Sequence, residues 1–399
     1  MDFLSAGTVG RLEQYFDQIG AILGNDERRA SFATYAMGLF SDAERKSVEP
    51  MAVRACPDPA VADAAHQRLL HFVANSPWND LAVRREAARH ALAELTAREA
   101  VQAWVLDDTG WLKQGKHSVG VQRQYTGTAG KVANCQIGAS LSVVTETEQL
   151  PIDFELYLPK SWTDSRRRRK EGKIPDDVVF KTKPELAIQM VRRALDDGVP
   201  PGAVLADSAY GSSREFRREL RELGLSYVAA INPTTKVAVI NSKTKRCGRR
   251  TSVRDLAGEI NADGGFRRCT WREGTKRDLW ARFALRHVRI SDEEDALLLI
   301  EWRNKESAPA NYFLIHGQEA RALKKLVRLV MQRWRTERVY QDLKGELGLD
   351  HYEGRSYRGW HHHVSVVLCC YAFILSERVR HFPPSARRPV ANGTHTLAA

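Results

Sequence analysis

The apolar pattern of the chain changes period near Val101, and this change limits the fold more than any other feature. Before it, apolar residues recur at three- and four-residue spacing, which lines one face of a helix. Residues 9–23, 28–40, 59–73 and 81–97 read as helices. Asp58 before Pro59 reads as an N-cap with proline in the first helical position. Ser76-Pro77 and Asn79-Asp80 punctuate the region. After Val101, residues 103–106, 132–144 and 150–158 read as strands. A helix over 184–195, a strand over 203–206, a basic helix over 213–223 and a strand over 226–231 follow. This order, β-β-β-α-β-α-β, predicts a mixed α/β sheet with helices on its faces.

Residues 233–317 have a different texture. Short apolar runs at 237–240, 267–271, 278–288, 296–302 and 312–315 alternate with charged turns, with little helical pattern. They read as a β-rich insertion. Helix returns at Glu319 and continues, with a break, through Lys344, and a last apolar helix covers 364–379. The expected organisation is a helical N-terminal domain over 1–98, an α/β domain over 99–232 and 318–382, the insertion over 233–317, and a disordered tail over 383–399. The 399-residue length agrees with two to three domains.

Composition narrows the setting. No apolar run approaches the roughly 20 residues of a membrane span, and the opening MDFLSAGTVGRLEQYF lacks the basic and apolar regions of a secretory leader. The six cysteines show no CxxC spacing and read as reduced, which suits a cytoplasmic protein. Net charge is +12, a balance that suits a polyanionic partner. Residues 1–100 hold 11 basic and 14 acidic residues, so the excess lies in the remainder of the chain. The run Arg166–Lys170 reads either as a solvated loop or as a phosphate contact.

Two constellations carry chemistry. Asp107 and Asp108 follow one short apolar run, and Asp207 follows another. Carboxylates at neighbouring strand ends can share a divalent metal, because hard cations prefer oxygen ligands; the alternative is turn chemistry. Alternation along a strand lets only one of Asp107 and Asp108 face such a site. The second constellation is Arg333-x3-Glu337-x6-Lys344. On a continuous helix these residues fall within roughly 40° of one another, so a carboxylate stands between two cations. That arrangement suits a metal flanked by DNA phosphates, or else a solvated face with an i,i+4 ion pair.

With these residues the chain resembles the DDE transposases of bacterial insertion sequences, in the branch with a Y-x2-R-x3-E-x6-K signature. Arg333, Glu337 and Lys344 match it, and Val330 stands at the tyrosine position. The resemblance takes in Asp107-Asp108-Thr109-Gly110, Ala206-Asp207-Ser208, residues 348–353 and Arg358-Gly359-Trp360-His361, over about residues 100–380. It implies a ribonuclease-H-like fold. It also implies two Mg²⁺ ions, replaceable by Mn²⁺, held by Asp108, Asp207 and Glu337, with Asp107 the alternative to Asp108. The implied chemistry is phosphodiester hydrolysis and strand transfer at element ends. Arg333 and Lys344 would clamp phosphates, and Tyr312 would stack on a flipped base. The N-terminal helices would bind the element ends or serve assembly, with a homodimer on DNA at the nucleoid. The other readings are a catalytically inactive, domesticated DNA-binding protein and a stand-alone Mg²⁺ nuclease.

The remaining motifs weigh less. His361-His362-His363 cannot converge on one metal, since adjacent helical residues point about 100° apart, and beside Arg358 and Trp360 they read as a DNA-backbone contact. Cys369-Cys370 reads as core. Gly127-x2-Gly130-Lys131 lacks P-loop spacing. Gly120 reads as a point of close backbone or DNA approach.

Overall fold

A computed structural model describes residues 6–56, 58–272, 279–319 and 321–381; the expected tail over 383–399 lies outside them. Five helices come first: α1 (Ala6–Leu23), α2 (Asp26–Phe40), α3 (Val48–Ala55), α4 (Pro59–Ala74) and α5 (Asp80–Arg98). Asn25 and Asn79 start α2 and α5, each side chain accepting a hydrogen bond from the backbone N–H three residues on. The apolar faces, among them Tyr15, Phe32, Tyr35, Phe72 and Leu95, close around the C-terminal helix and join its Val364, Leu368 and Leu375 in one core. Tyr15 donates from its hydroxyl to the Cys369 carbonyl, and Arg11 forks onto Glu377. The core therefore crosses the boundary expected at residue 98.

The sheet follows. Its first strands are β1 (Ala103–Leu112), β2 (Gln122–Thr126), β3 (Lys131–Val144) and β4 (Gln149–Tyr157). Helices α6 (Lys160–Thr163), α7 (Arg166–Gly172) and α8 (Lys183–Asp196) lead to β5 (Ala203–Ala206), α9 (Ser208–Gly211), α10 (Arg214–Glu222) and β6 (Tyr227–Ala230). β1, β3 and β4 form an antiparallel meander, and β5 and β6 run parallel to β1, giving the order β4-β3-β1-β5-β6. The predicted alternation of strands and helices is met. The basic run at 166–170 is a helix rather than a loop, with Ser165 as its N-cap. Gly120 has φ +77°, and a Cβ there would stand 3.1 Å from the Tyr157 carbonyl, so the close approach is one of backbone to backbone.

The insertion extends this sheet. It consists of β7 (Lys236–Ile240), β8 (Cys247–Ser252), α11 (Val253–Ala262), β9 (Arg267–Arg272), β10 (Leu279–Ser291), β11 (Glu294–Trp302) and β12 (Asn311–His316). β12 pairs with β6, and the sheet continues through β11, β10, β7 and β8, with β9 also on β10. Helix α11 was not expected; Val253, Leu256, Ala257 and Ile260 form its buried stripe behind a Ser252 cap. The chain ends with α12 (Leu323–Val330), a 3-10 turn over Met331–Arg333, α13 (Trp334–Gly345) and α14 (Tyr357–His381). The break predicted before Lys344 is that 3-10 turn. Leu326, Val327, Leu329 and Val330 of α12 cover Ala103, Val105, Leu205, Val228 and Leu299, making a second core on one face of the sheet. Val330, at the signature's tyrosine position, is part of that core. No helix of the described residues is long and apolar enough to cross a membrane.

The three adjacent histidines lie inside the helical bundle, which removes the DNA contact expected of them. His361 is 4% exposed, His362 1% and His363 0%. His362 stacks on Trp78 with ring centroids 3.7 Å apart. His363 faces the carbonyls of Gly348 and Leu349 with Nε2 and the Tyr35 hydroxyl with Nδ1, which assigns the proton to Nε2. Burial pushes its imidazole down to about 4. The unfolded chain, titrating near the ordinary 6.5, therefore takes up the proton first, and stability falls as pH drops from 6.5 toward 4. Denaturant unfolding should show this loss, with His363 contributing up to about 1.4 kcal/mol per pH unit. His363→Gln should flatten that part of the profile; equal slopes in the two proteins would contradict the assignment.

Candidate active site

Alternation along β1 decides what its two aspartates meet. Trp104 and Leu106 belong to the core shared with α8 and the N-terminal helices, whereas Ala103 and Val105 belong to the core under α12. Continuing the alternation sends Asp107 to the α12 face and Asp108 to the α8 face. Asp108 Oδ2 lies 2.7 Å from the Nζ of Lys183, at the start of α8. Asp107 Oδ1 lies 3.1 Å from Arg333 Nη2, and the same nitrogen lies 3.8 Å from Asp207 Oδ2. The sequence-based preference for Asp108 as metal ligand runs against this placement, because its carboxylate is taken up by Lys183 on the opposite face.

Asp207 stands immediately after β5, in line with Asp107, since Leu106 and Ala206 are paired in the parallel ladder. Its Oδ1 accepts from the backbone N–H of Ala209 at 2.9 Å and of Tyr210 at 3.4 Å. That capping arrangement leaves Oδ2 turned toward Arg333. Burial pushes the Asp107 carboxyl up to about 6; Arg333 opposes the shift, and the neighbouring charges of Asp207 and Asp108 add to it. One guanidinium nitrogen thus serves two carboxylates that would otherwise repel one another.

Two tyrosines that sequence reasoning missed frame the pair. The Tyr210 hydroxyl donates to the Asp107 carbonyl at 3.3 Å. The Tyr340 hydroxyl is 2.6 Å from Ser140 Oγ, on the residue paired with Asp107 across the β1–β3 ladder. Tyr210 is buried and Tyr340 half-buried, and desolvation raises both phenols well above their ordinary range. Their only sequence signal was spacing, Tyr210 three residues after Asp207 and Tyr340 three after Glu337.

Arg333 occupies the 3-10 turn rather than α13, so it breaks from the straight stripe drawn for it with Glu337 and Lys344. It turns to the aspartates and forms no i,i+4 pair with Glu337. Glu337 is exposed in the first turn of α13 and makes no ion pair among the described residues. Among those residues, no three His, Cys, Asp or Glu side chains are grouped as metal ligands. Lys344, in the last turn of α13, donates from Nζ to the Gly110 carbonyl at 2.7 Å and to Thr128 Oγ1 at 3.2 Å. It ties α13 to the end of β1 and to the β2–β3 turn. Gly110 itself has no room for a side chain, because a Cβ there would collide with Thr126 Oγ1. Tyr312 is 4% exposed, packed within the core where β12 runs between β6 and β11. At that exposure the ring offers little surface to a base in this structure.

The arrangement gathers Asp107, mid-strand on β1, and Asp207, just past the end of the parallel β5, on one cation, with side chains 15% and 31% exposed, and two such oxygen donors suit a divalent ion. A family model for the DDE superfamily endonucleases matches residues 15–278, which include both strands bearing the aspartates and end before Glu337. A protein of Microchaete diplosiphon named "Probable transposase for insertion sequence element IS701" is 29% identical over 237 residues, covering 59% of this chain and 57% of the relative. The family match extends over more than half of the sequence, and the chain belongs to the DDE superfamily of endonucleases.

Proposed function

We propose that the protein is the transposase of an insertion sequence, cutting phosphodiester bonds at element ends and joining them to target DNA with Mg²⁺. The observation that carries this reading is the single Arg333 nitrogen shared by Asp107 and Asp207. DDE superfamily endonucleases generally use divalent metals, and the fit here is chemical: two oxygen donors, partly desolvated, already gathered on one cation. The strand order β4-β3-β1-β5-β6, with β3 and β4 antiparallel and β5 and β6 parallel to β1, supports the ribonuclease-H-like reading of the catalytic sheet.

In this proposal Asp107 and Asp207 hold the ion, and Asp108 does not. Glu337 is the third carboxylate; it stands apart from the pair in this structure, so its part needs its own test. When bound, Mg²⁺ neutralises phosphate charge and makes a bound water or 3′-hydroxyl a better nucleophile. With the ion in place Arg333 would be free to leave the aspartates, and its planar fork suits two oxygens of the scissile phosphate. Lys344 and Thr128 hold the end of β1 still, and Tyr210 fixes the Asp107 backbone. DNA ends and target DNA are the partners, with two copies of the chain needed to hold two ends.

A supercoiled-plasmid assay carrying the DNA that flanks the gene, with Mg²⁺, tests the assignment. Asp107→Asn and Asp207→Asn should lower cleavage by at least about 10³-fold, the scale on which electrostatic catalytic groups act, while DNA binding persists. Asp108→Asn should stay within about tenfold of wild type. The reverse ranking of Asp107 and Asp108 would overturn the choice between them. Loss of activity in Glu337→Gln with binding retained would support its assignment, and wild-type rates would remove it. DNA binding without any cleavage by the wild type would favour the inactive reading, and cleavage without joining a nuclease.

The Lys183–Asp108 pair gives a separate check, because both side chains are largely buried. A double-mutant cycle with Asp108→Asn and Lys183→Met should return a coupling of about 1–2 kcal/mol in unfolding free energy. A coupling near zero would show that the pair does not hold Asp108 away from the catalytic face.

A further inference from the structure

We infer that the tip of the β7–β8 hairpin is a second phosphate-binding site for the DNA duplex that enters the active site. The inference rests on the DNA-cutting reading above and adds to it a place where the substrate is gripped. Residues 243–246, Lys-Thr-Lys-Arg, form the tip and hold three cations and no carboxylate, all exposed; Arg249 and Arg250 follow on β8, where Arg250 pairs with Ala238 and donates to the Ile290 carbonyl. Among the described residues, none of Lys243, Lys245 and Arg246 makes an ion pair. The loop is preformed, since the Asn241 side chain accepts from the N–H groups of Lys243 and Thr244.

The sheet register fixes where this tip lies. Asp207 follows Ala206, which pairs with Ala229, so Asp207 stands level with Ala230. Ala230 pairs with Phe313, Phe313 with Leu299, and Leu299 with Leu285. On the other side of β10, Val288 pairs with Val239 in the opposite direction. Three residues back along β10, to Leu285, correspond to three residues forward from Val239, to Ser242. The basic tip therefore begins at the height of Asp107 and Asp207, on the edge toward which β5 and β6 run. Five to six strand spacings of ~4.8 Å separate it from β5, roughly 24–29 Å along the sheet. That path matches about 7–8 base pairs of duplex at ~3.4 Å each.

The opposite edge of the same insertion has the reverse charge, and there the charges are satisfied internally. The β10–β11 turn carries Asp292, Glu293, Glu294 and Asp295. Glu293 pairs with Arg214, Glu294 with Arg217 and Arg221, and Asp295 with Arg289. The fold neutralises the edge away from the carboxylates and leaves unpaired cations at their level. An extended polyanion lying across the carboxylates is the ligand that this asymmetry fits.

Fluorescence anisotropy of a labelled random-sequence 30-bp duplex, titrated in EDTA at several salt concentrations, tests the inference. Each phosphate contact contributes ~0.9 to the slope of log affinity against log salt. The variant Lys243→Gln/Lys245→Gln/Arg246→Gln, in an exposed loop, should lower that slope by about 2–3 and weaken binding. The exchange Lys243→Arg/Lys245→Arg/Arg246→Lys should keep the wild-type slope. An unchanged slope in the neutral variant, with wild-type binding intact, would overturn this site and leave the proposed function standing. Absence of duplex binding by the wild type would overturn both.

Discussion

The structure turns on one guanidinium nitrogen. Arg333 meets Asp107 and Asp207 at 3.1 and 3.8 Å, and without it the largely buried Asp107 carboxylate would face that of Asp207, 31% exposed, across adjacent strands. Leaving the Asp107 charge uncompensated is unfavourable, so the contact helps hold the 3-10 turn, and α12 and α13 on either side of it, against the sheet. A cation is thus required at this place whether or not a metal is bound. The same requirement explains why Arg333 turns away from Glu337, its neighbour one helical turn on.

The sheet that carries the pair also carries the insertion. Because β12 adds to β6, the inserted strands share a register with β1, β5 and β6, and a height on one can be read on the other. An insertion joined only by flexible linkers could not place a basic loop at the level of the aspartates. The N-terminal helices are joined as firmly, since they and α14 form one core. The N-terminal helices, the sheet and its insertion therefore form one packed body.

Much of this was legible in the sequence, and the misses have physical causes. The order of helices and strands, Asp207 at the end of β5 and the break before α13 all follow from local pattern; β1, however, runs on past Leu106 to Leu112, so Asp107 and Asp108 lie mid-strand rather than at its end. The choice between Asp107 and Asp108 did not follow from that pattern. β1 is apolar on both faces, with Trp104 and Leu106 on one and Ala103 and Val105 on the other, so nothing in the strand says which face receives Arg333. The stacking role expected of Tyr312 meets a ring that is 4% exposed, because a strand paired on both sides covers an aromatic side chain that would be open on an edge. The histidine triplet could have been read correctly, because a helix that is apolar all round is a buried one. Helix α11 also left a usable signal, a Ser252 cap followed by apolar residues at offsets of three, four and seven.

The central claim is that Asp107 and Asp207, with Arg333 as their occupant in this state, form the metal site. Anomalous scattering from crystals of the protein grown with Mn²⁺ addresses it most directly. The account predicts a peak within about 2.0–2.3 Å of a carboxylate oxygen of both Asp107 and Asp207, with the Arg333 guanidinium turned away from them. A peak on Asp108 with Lys183 displaced, or no peak while Arg333 still bridges the pair at saturating Mn²⁺, would contradict it.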